Sequence, residues 1–316
     1  MTIPVFLANP DSYGRFGHQT LRIISSVQLA KLMGGHFIPV RYTYFSAHWN
    51  KYVDFSRNKY SRTYFSSNIN YCEMIGKRSD AYGNTKYNLM DPEDFGQLQC
   101  EINNILINSE CDYTIIKLPF DQSPGRLLGL IQKCSNKEWD PIFHFQKSSP
   151  FEHGTIIESP YITIHIRRGD VSKEKYPDWF ISDSVYREII GIIANTLDLR
   201  IILIGQEISH FAQYPEIIRL EKDGRLVIVS SGSGFRTPDE VHCFQIMMNA
   251  CLVIGGLSSF SYVATLIGNA GFICLSNEKI YPSEWPASSY SISEIKHGLI
   301  DSDKFARQLY AAISCR

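Results

Sequence analysis

The stretch Tyr161-Ile-Thr-Ile-His-Ile-Arg-Arg-Gly-Asp170 sets an imidazole and two guanidiniums at the end of a short β-branched run. Alternation after Pro160 predicts a strand, and Arg-Arg-Gly-Asp ends it. In open α/β sheets ligands collect at the carboxyl ends of strands. Arginine grips phosphate oxygens two at a time and never loses its charge. His165, Arg167, Arg168, Gly169 and Asp170 are therefore candidates for an anion-binding turn. Each part also has a plain reading. Paired arginines end ordinary solvated strands, a lone histidine is commonly a core residue, and Arg-Gly-Asp is an adhesion tripeptide when it tips an exposed loop. The four features in one run are what point to an anion.

Two further turns are rich in small residues. Asn9 to Gln19 contains Gly14, Arg15, Phe16 and Gly17, with His18 next, ahead of an apolar stretch from Leu21 to Met33. Gly255-Gly-Leu-Ser-Ser-Phe260 follows the apolar run Leu252–Ile254. A turn of this kind brings backbone amides and a helix N-terminus to bear on an anion, and glycine lets the ligand approach. Gly14 to Gly17 thus reads as a ligand-facing loop, and Ser258 and Ser259 as phosphate ligands. Taken singly, either turn is equally well a structural one.

These groups need a scaffold. Val5–Leu7, the glycine loop, the helix to Met33 closed by Gly34-Gly35, and the strand His36–Val40 make one βαβ unit. From Arg41 to Pro150 the periodicity blurs. Eight of the 18 tyrosines fall between 41 and 90, a surface chemistry suited to sugar rings, although loops and helix faces also bury tyrosine. Short helices are expected at Leu98–Leu106 and Leu127–Cys134, a strand at Ile115–Leu118, and a linker at Lys147–Pro150. The second half alternates clearly. Strands are expected at Tyr161–Ile166, Arg200–Ile204, Leu226–Val229, Leu252–Ile254 and Phe272–Leu275, with a loop at Gly232–Gly234. Helices are expected after a Ser182-Asp183 cap, at Asp239–Ala250, at Tyr262–Ile267 and at Asp303–Ile313. Strict alternation predicts parallel sheets with right-handed crossovers, and 316 residues suit two domains, 1–150 and 151–316.

Composition narrows the function classes. At 44% hydrophobic and 20% charged residues the chain is an ordinary globular protein. A net charge of −1 argues against non-specific nucleic-acid binding, so any anion is captured locally. The eight cysteines form no Cys-x-x-Cys and no zinc spacing, and most are expected to be reduced, buried thiols. There is no Asn-x-Ser/Thr acceptor, no signal-like N-terminus and no run of 18 apolar residues. The expectation is a cytoplasmic protein, with peripheral association at the inner face of the membrane left open.

Three blocks line up with one family. His165-x-Arg167-Arg168-Gly169-Asp170 resembles the H-x-R-R-G-D signature of α-1,2-fucosyltransferases and is similar to the H-x-R-R-x-D of α-1,6-fucosyltransferases. Gly14-Arg-Phe-Gly-His-Gln19 resembles the G-R-[FL]-G-N-Q loop of α-1,2- and protein O-fucosyltransferases. Gln245 to Phe260 resembles the family's third block, which ends in S-S-F. The three cover about 60 residues, in family order. The resemblance implies an α/β fold of the GT-B type, with two Rossmann-like domains facing across a cleft. The N-terminal domain would hold the acceptor and the C-terminal one the nucleotide-sugar. It implies inverting, metal-independent transfer of fucose from GDP-fucose to a glycan hydroxyl, with no cofactor. The one Asp-x-Asp, Asp301-Ser-Asp303, reads as a helix cap. By analogy Arg167 meets the β-phosphate, Arg168 positions the loop or meets the sugar, His165 lies against the nucleotide, Ser258, Ser259 and Phe260 line phosphates and ring, and Asp170 orients the arginines.

The chain departs from that pattern twice. His18 stands where the family has asparagine; it is either the base for the acceptor hydroxyl or a neutral hydrogen-bonding stand-in. Cys243 stands where the family reads guanine with an aspartate. Either Asp239 or Glu240 takes over that reading, or the donor base is not guanine. Two rival readings follow, the same fold with another nucleotide-sugar and an inactive glycan-binding protein on this scaffold.

Overall fold

The computed structural model describes residues 2–8, 16–56, 58–64, 68–73, 92–117, 144–145, 160–231, 238–268, 270–277, 290–296 and 298–314. The chain divides into two compact α/β units, and the division falls between Ser149 and Pro150.

The first unit is built on four parallel strands: β1 (Ile3–Leu7), β2 (His36–Ile38), β4 (Ile69–Glu73) and β5 (Tyr113–Lys117), in the order β2-β1-β5-β4. A small antiparallel pair, β3 (Val53–Asp54) with β6 (His144–Phe145), lies outside that sheet. Helix α1 (Phe16–Met33) carries the chain from β1 to β2, and helix α2 (Pro92–Ile107) precedes β5. Burial of α1 runs nearly all round it: 14 of its 18 residues are buried, including several polar ones. Several of these buried polar groups find a partner nearby. Ser25 and Ser26 donate back to the carbonyls of Leu21 and Arg22 at 2.8 and 3.0 Å. Thr20 bonds the Tyr42 hydroxyl, and Gln19 clasps the backbone of Thr43 from both sides. The helix stops at Gly34, whose φ of +66° suits glycine, and the Gly35 amide reaches back to the Ala30 carbonyl at 2.8 Å.

Helix α1 starts five residues earlier than periodicity predicts. Phe16, Gly17 and His18 form its first turn, and Phe16 and Gly17 are buried. The Phe16 ring stacks on Trp49, centroids 3.7 Å apart at 18°, and tilts against Tyr42. That packing corrects the expectation that Phe16 and Gly17 belong to a ligand-facing loop: they are core. Gly14 and Arg15 lie outside the described residues, as do the expected helix at Leu127–Cys134, the linker at Lys147–Pro150 and the loop at Gly232–Gly234.

The second unit holds a seven-stranded sheet in the order β13-β12-β11-β10-β7-β8-β9. The strands are β7 (Tyr161–Ile166), β8 (Arg200–Gln206), β9 (Leu226–Ser231), β10 (Leu252–Gly255), β11 (Gly271–Asn277), β12 (Tyr290–Lys296) and β13 (Leu299–Ile300). All neighbours are parallel except β12 with β13, a short return that departs from strict alternation. Helices α3 (Asp183–Thr196), α4 (Pro215–Lys222), α5 (Pro238–Asn249), α6 (Ser259–Gly268) and α7 (Ser302–Ser314) connect them. All six residues of β7 are buried, Thr163 and His165 among them, as in a parallel strand covered on both faces. Val185, Ile189 and Ile193 of α3 join Ile162, Ile164 and Leu203 in one core. Truncating any of them to alanine costs roughly 2–5 kcal/mol.

Asp301 caps α7, accepting the Lys304 amide at 2.9 Å. Ser182 stands at the N-cap of α3 but makes no side-chain cap bond; its hydroxyl pairs with that of Ser184 at 2.7 Å. Cys243, Cys251 and Cys274 are buried, whereas Cys72 and Cys111 are half-buried and Cys100 is exposed, so the expectation of mostly buried thiols holds for three of these six. No helix among the described residues is long and apolar enough to cross a membrane.

Candidate functional site

Strand β7 delivers its charged turn from the middle of the second sheet. Beyond Ile166 the chain leaves the ladder and Gly169 adopts φ +76°. A Cβ there would sit 2.2 Å from the Gln206 Oε1, so both conformation and space call for glycine. The turn is tightened by the Asp170 amide, which donates to the Arg168 carbonyl at 2.9 Å.

The two guanidiniums then take different tasks. Arg167 Nη2 donates to Asp170 Oδ2 at 2.8 Å, with a longer contact from Nε to Oδ1 at 3.4 Å. Its Nη1 donates to the Leu257 carbonyl at 2.6 Å. Three of the five N–H donors of a guanidinium are thereby engaged and two are left. The side chains of Arg167 and Asp170 are each 24% exposed, so the pair is partly open to solvent. Arg168 is turned inward. It donates to the carbonyls of Arg167 and Ile181 at 3.0 and 2.8 Å and to Asp183 at 2.5 Å, and its planar group lies over the Phe180 ring. The other oxygen of Asp183 lies 2.9 Å from His210 Nε2. Arg168 thus ties the end of β7 to the start of α3 and closes the loop between them.

The second turn is joined to the first through backbone and ring contacts. His165 and Gly255 are register partners on β7 and β10. The Leu257 carbonyl takes Arg167, and the rings of His165 and Phe260 lie 6.0 Å apart. Ser258 is buried and its carbonyl opens α6 by accepting the Tyr262 amide; Ser259 and Phe260 are half-buried in the first turn of that helix. Phe260 also meets Phe244 of α5, centroids 5.3 Å apart. Helix α5 carries buried Cys243 and, one turn earlier, half-buried Glu240; Asp239 is in the same first turn, its side chain outside the described residues.

Both histidines of interest are neutral at ordinary pH. Burial lowers His165 to about 4, the Arg167 charge adds to the effect and Asp170 opposes it. Its Nδ1 is buried without a hydrogen-bond partner among the described residues. Burial likewise lowers His18 to about 4, with Arg22 contributing. A neutral imidazole accepts a proton, but one this hard to protonate is a weak base.

The structure therefore brings His165, Arg167, Arg168, Gly169, Asp170, Ser258, Ser259 and Phe260 together in the second unit, with Glu240 on the next helix. Phe16, Gly17 and His18 belong to the first unit. The sequence reading missed Leu257, whose carbonyl acts, and Trp179, whose ring lies 5.3 Å from the Arg167 guanidinium carbon. The first gave no signal, since any residue supplies a carbonyl. The second had one: a tryptophan directly after the charge-rich stretch 172–178. Among the described residues no group of three or more His, Cys, Asp or Glu is placed to hold a metal ion.

No family model matches the chain, and no curated protein matches it. Solved structures do. The α-1,6-fucosyltransferase NodZ, soaked with GDP-fucose, is 11% identical over 84% of this chain and 93% of its own, with a TM-score of 0.41. The dodecameric iron-containing heptosyltransferase TibC, in complex with ADP-D-β-D-heptose, is 12% identical over 95% of this chain, with a TM-score of 0.40. The chain spans 64% of the length of that second protein.

Proposed function

We propose that the chain is an inverting, metal-independent glycosyltransferase of the GT-B type that moves fucose from GDP-fucose to a hydroxyl of a glycan. The observation that carries this reading is Arg167: a guanidinium fixed by Asp170 and Leu257, with two donors to spare, at the carboxyl end of a buried parallel strand. Breaking a sugar–phosphate bond builds negative charge on the departing diphosphate. A donor held in place before that charge appears contributes about 2.7–4 kcal/mol to the transition state. In this reading Arg167 meets the β-phosphate, the turn Ser258–Phe260 lines the phosphates and ring, and His165 lies against the nucleotide. Arg168 and Asp170 shape the turn. His18, which burial makes a weak base, is better cast as the neutral hydrogen-bonding stand-in than as the base for the acceptor hydroxyl.

Cys243 favours a second reading, the same reaction with another nucleotide-sugar. A buried thiol in the middle of α5 is a poor partner for the guanine edge, which offers two donors to a carboxylate. Titration calorimetry with GDP, UDP and dTDP separates the two. Tightest binding of GDP by tenfold or more supports the fucosyl donor. Tightest binding of UDP or dTDP overturns the donor and keeps the reaction class. Failure of all three to bind removes the proposal.

A further inference from the structure

The loop closed by Arg168 carries an aromatic pair that the reaction above does not use. Tyr176 and Trp179 stack on each other, ring centroids 5.1 Å apart and planes within 13°. They are 45% and 40% exposed, although tryptophan is highly buried on average. Their positions are held from below. The amides of Trp179 and Phe180 both donate to the Tyr176 carbonyl at 3.0 Å, and the Tyr176 amide donates to the Ser172 carbonyl at 2.9 Å. Phe180, next in sequence, turns the other way to lie against Arg168. The indole thus has the Tyr176 ring stacked on it and the Arg167 guanidinium carbon 5.3 Å from its centroid, while both aromatic side chains keep exposed surface.

We propose that Tyr176 and Trp179 form a stacking platform for one pyranose ring of a neutral glycan acceptor, next to the Arg167 site. A pyranose presents a flat face of C–H groups, and an exposed, rigid aromatic surface covers it at little entropic cost. Charge selects the occupant. The exposed charged residues next to the pair along the chain are Lys173 and Lys175 against Glu174 and Asp178, and their formal charges cancel. Such a rim offers both donors and acceptors to hydroxyl groups and has no net attraction for an anion, which sets it apart from the guanidinium beside it. The inference deepens the glycosyltransferase reading and rests on it for the word acceptor; it puts one acceptor ring on the second unit, where the family resemblance puts the nucleotide-sugar, and so departs from an acceptor held by the first unit alone.

The test uses the full chain with maltotetraose, cellotetraose and lactose as probes, followed by saturation-transfer NMR, and GDP followed by calorimetry. At least one saccharide is expected to bind the wild type saturably. Trp179→Ala and Tyr176→Ala are each expected to weaken it tenfold or more, and in Tyr176→Ala GDP affinity is expected to stay within twofold. Unchanged saccharide binding in both variants overturns the platform, as does the absence of saturable binding by every probe. A tenfold loss of GDP affinity in Trp179→Ala with saccharide binding intact also overturns it, because the indole then serves the nucleotide. A wild type that binds saccharide through the platform but not GDP leaves the platform standing and removes the transferase reading.

Discussion

Asp170 and Arg167 form an ion pair within a single turn, Nη2 to Oδ2 at 2.8 Å, and both are only a quarter exposed. The pair leaves the far edge of the guanidinium open, because the remaining internal bond goes to a backbone carbonyl on the neighbouring strand's turn. Asp170 thus holds the Arg167 guanidinium by its Nε and Nη2 edge, and in the proposed reaction it acts as a positioning residue.

Asp170→Asn tests that role. The amide keeps an oxygen for Nη2 but loses the charge that fixes the guanidinium. Turnover is expected to fall tenfold or more, with stability changed by about 1 kcal/mol or less for a pair this exposed. Steady-state kinetics and thermal unfolding on the same sample check both numbers. Rescue of turnover by Asp170→Glu, which keeps the charge, would distinguish positioning from mere packing.

The two arginines should separate cleanly under mutation. Arg168 spends its donors on two carbonyls and on Asp183, at 12% exposure. Lysine cannot make that fork. Arg168→Lys is expected to lower stability by about 2–4 kcal/mol, because buried acceptors lose their partner. A midpoint in urea unchanged from wild type would show that the loop is closed by something else.

The family resemblance gave this division of labour, Arg167 to the phosphate and Arg168 to the loop or the sugar, but the residues by themselves did not. His165 to Asp170 stood out as a turn at a strand end, because alternation before it and Gly169 within it are local signals. Which arginine faces out depends on Asp183 and Leu257, 15 and 90 positions away. The start of α1 was hidden for the same reason: Gly14 and Gly17 read as loop, while the Phe16–Trp49 stack that makes the segment core joins residues 33 apart. The parallel sheet of the second half was readable, since buried strands such as β8 are continuous apolar runs. Helix α4 was overlooked although Pro215 at its first turn is a start signal. The return strand β13 is two residues long and has no periodicity to read.

Acid should destabilise the fold through its buried histidines. In the unfolded chain His18 and His165 titrate near 6.5, and in the folded chain near 4. Between those values the unfolded state binds more protons, so stability falls as pH drops from 6.5 towards 4, by up to about 1.4 kcal/mol per pH unit for each residue. Above 6.5 neither contributes a slope. Urea unfolding at pH 7.5, 6 and 5 measures it, and His165→Gln should flatten the acid side. NMR titration of the ring protons gives the folded values directly; a value near 6.5 for His165 would contradict its burial.

Gly169→Ala asks how tightly the turn is set. An L-residue at φ +76° costs roughly 1–2 kcal/mol, and the new Cβ must also push the Gln206 side chain aside. Both stability and nucleotide affinity should fall. The double variant Gly169→Ala, Gln206→Ala should recover part of the first loss and little of the second, as judged by unfolding midpoint and calorimetry.

Arg167→Ala decides the central claim: measure GDP binding and the release or transfer of fucose from GDP-fucose in this variant beside the wild type, with thermal unfolding as the control. The account predicts an unfolding midpoint within a few degrees of wild type, GDP affinity lower by tenfold or more, and turnover lower by at least a hundredfold. A folded Arg167→Ala protein that binds GDP and turns over GDP-fucose as the wild type does would contradict it.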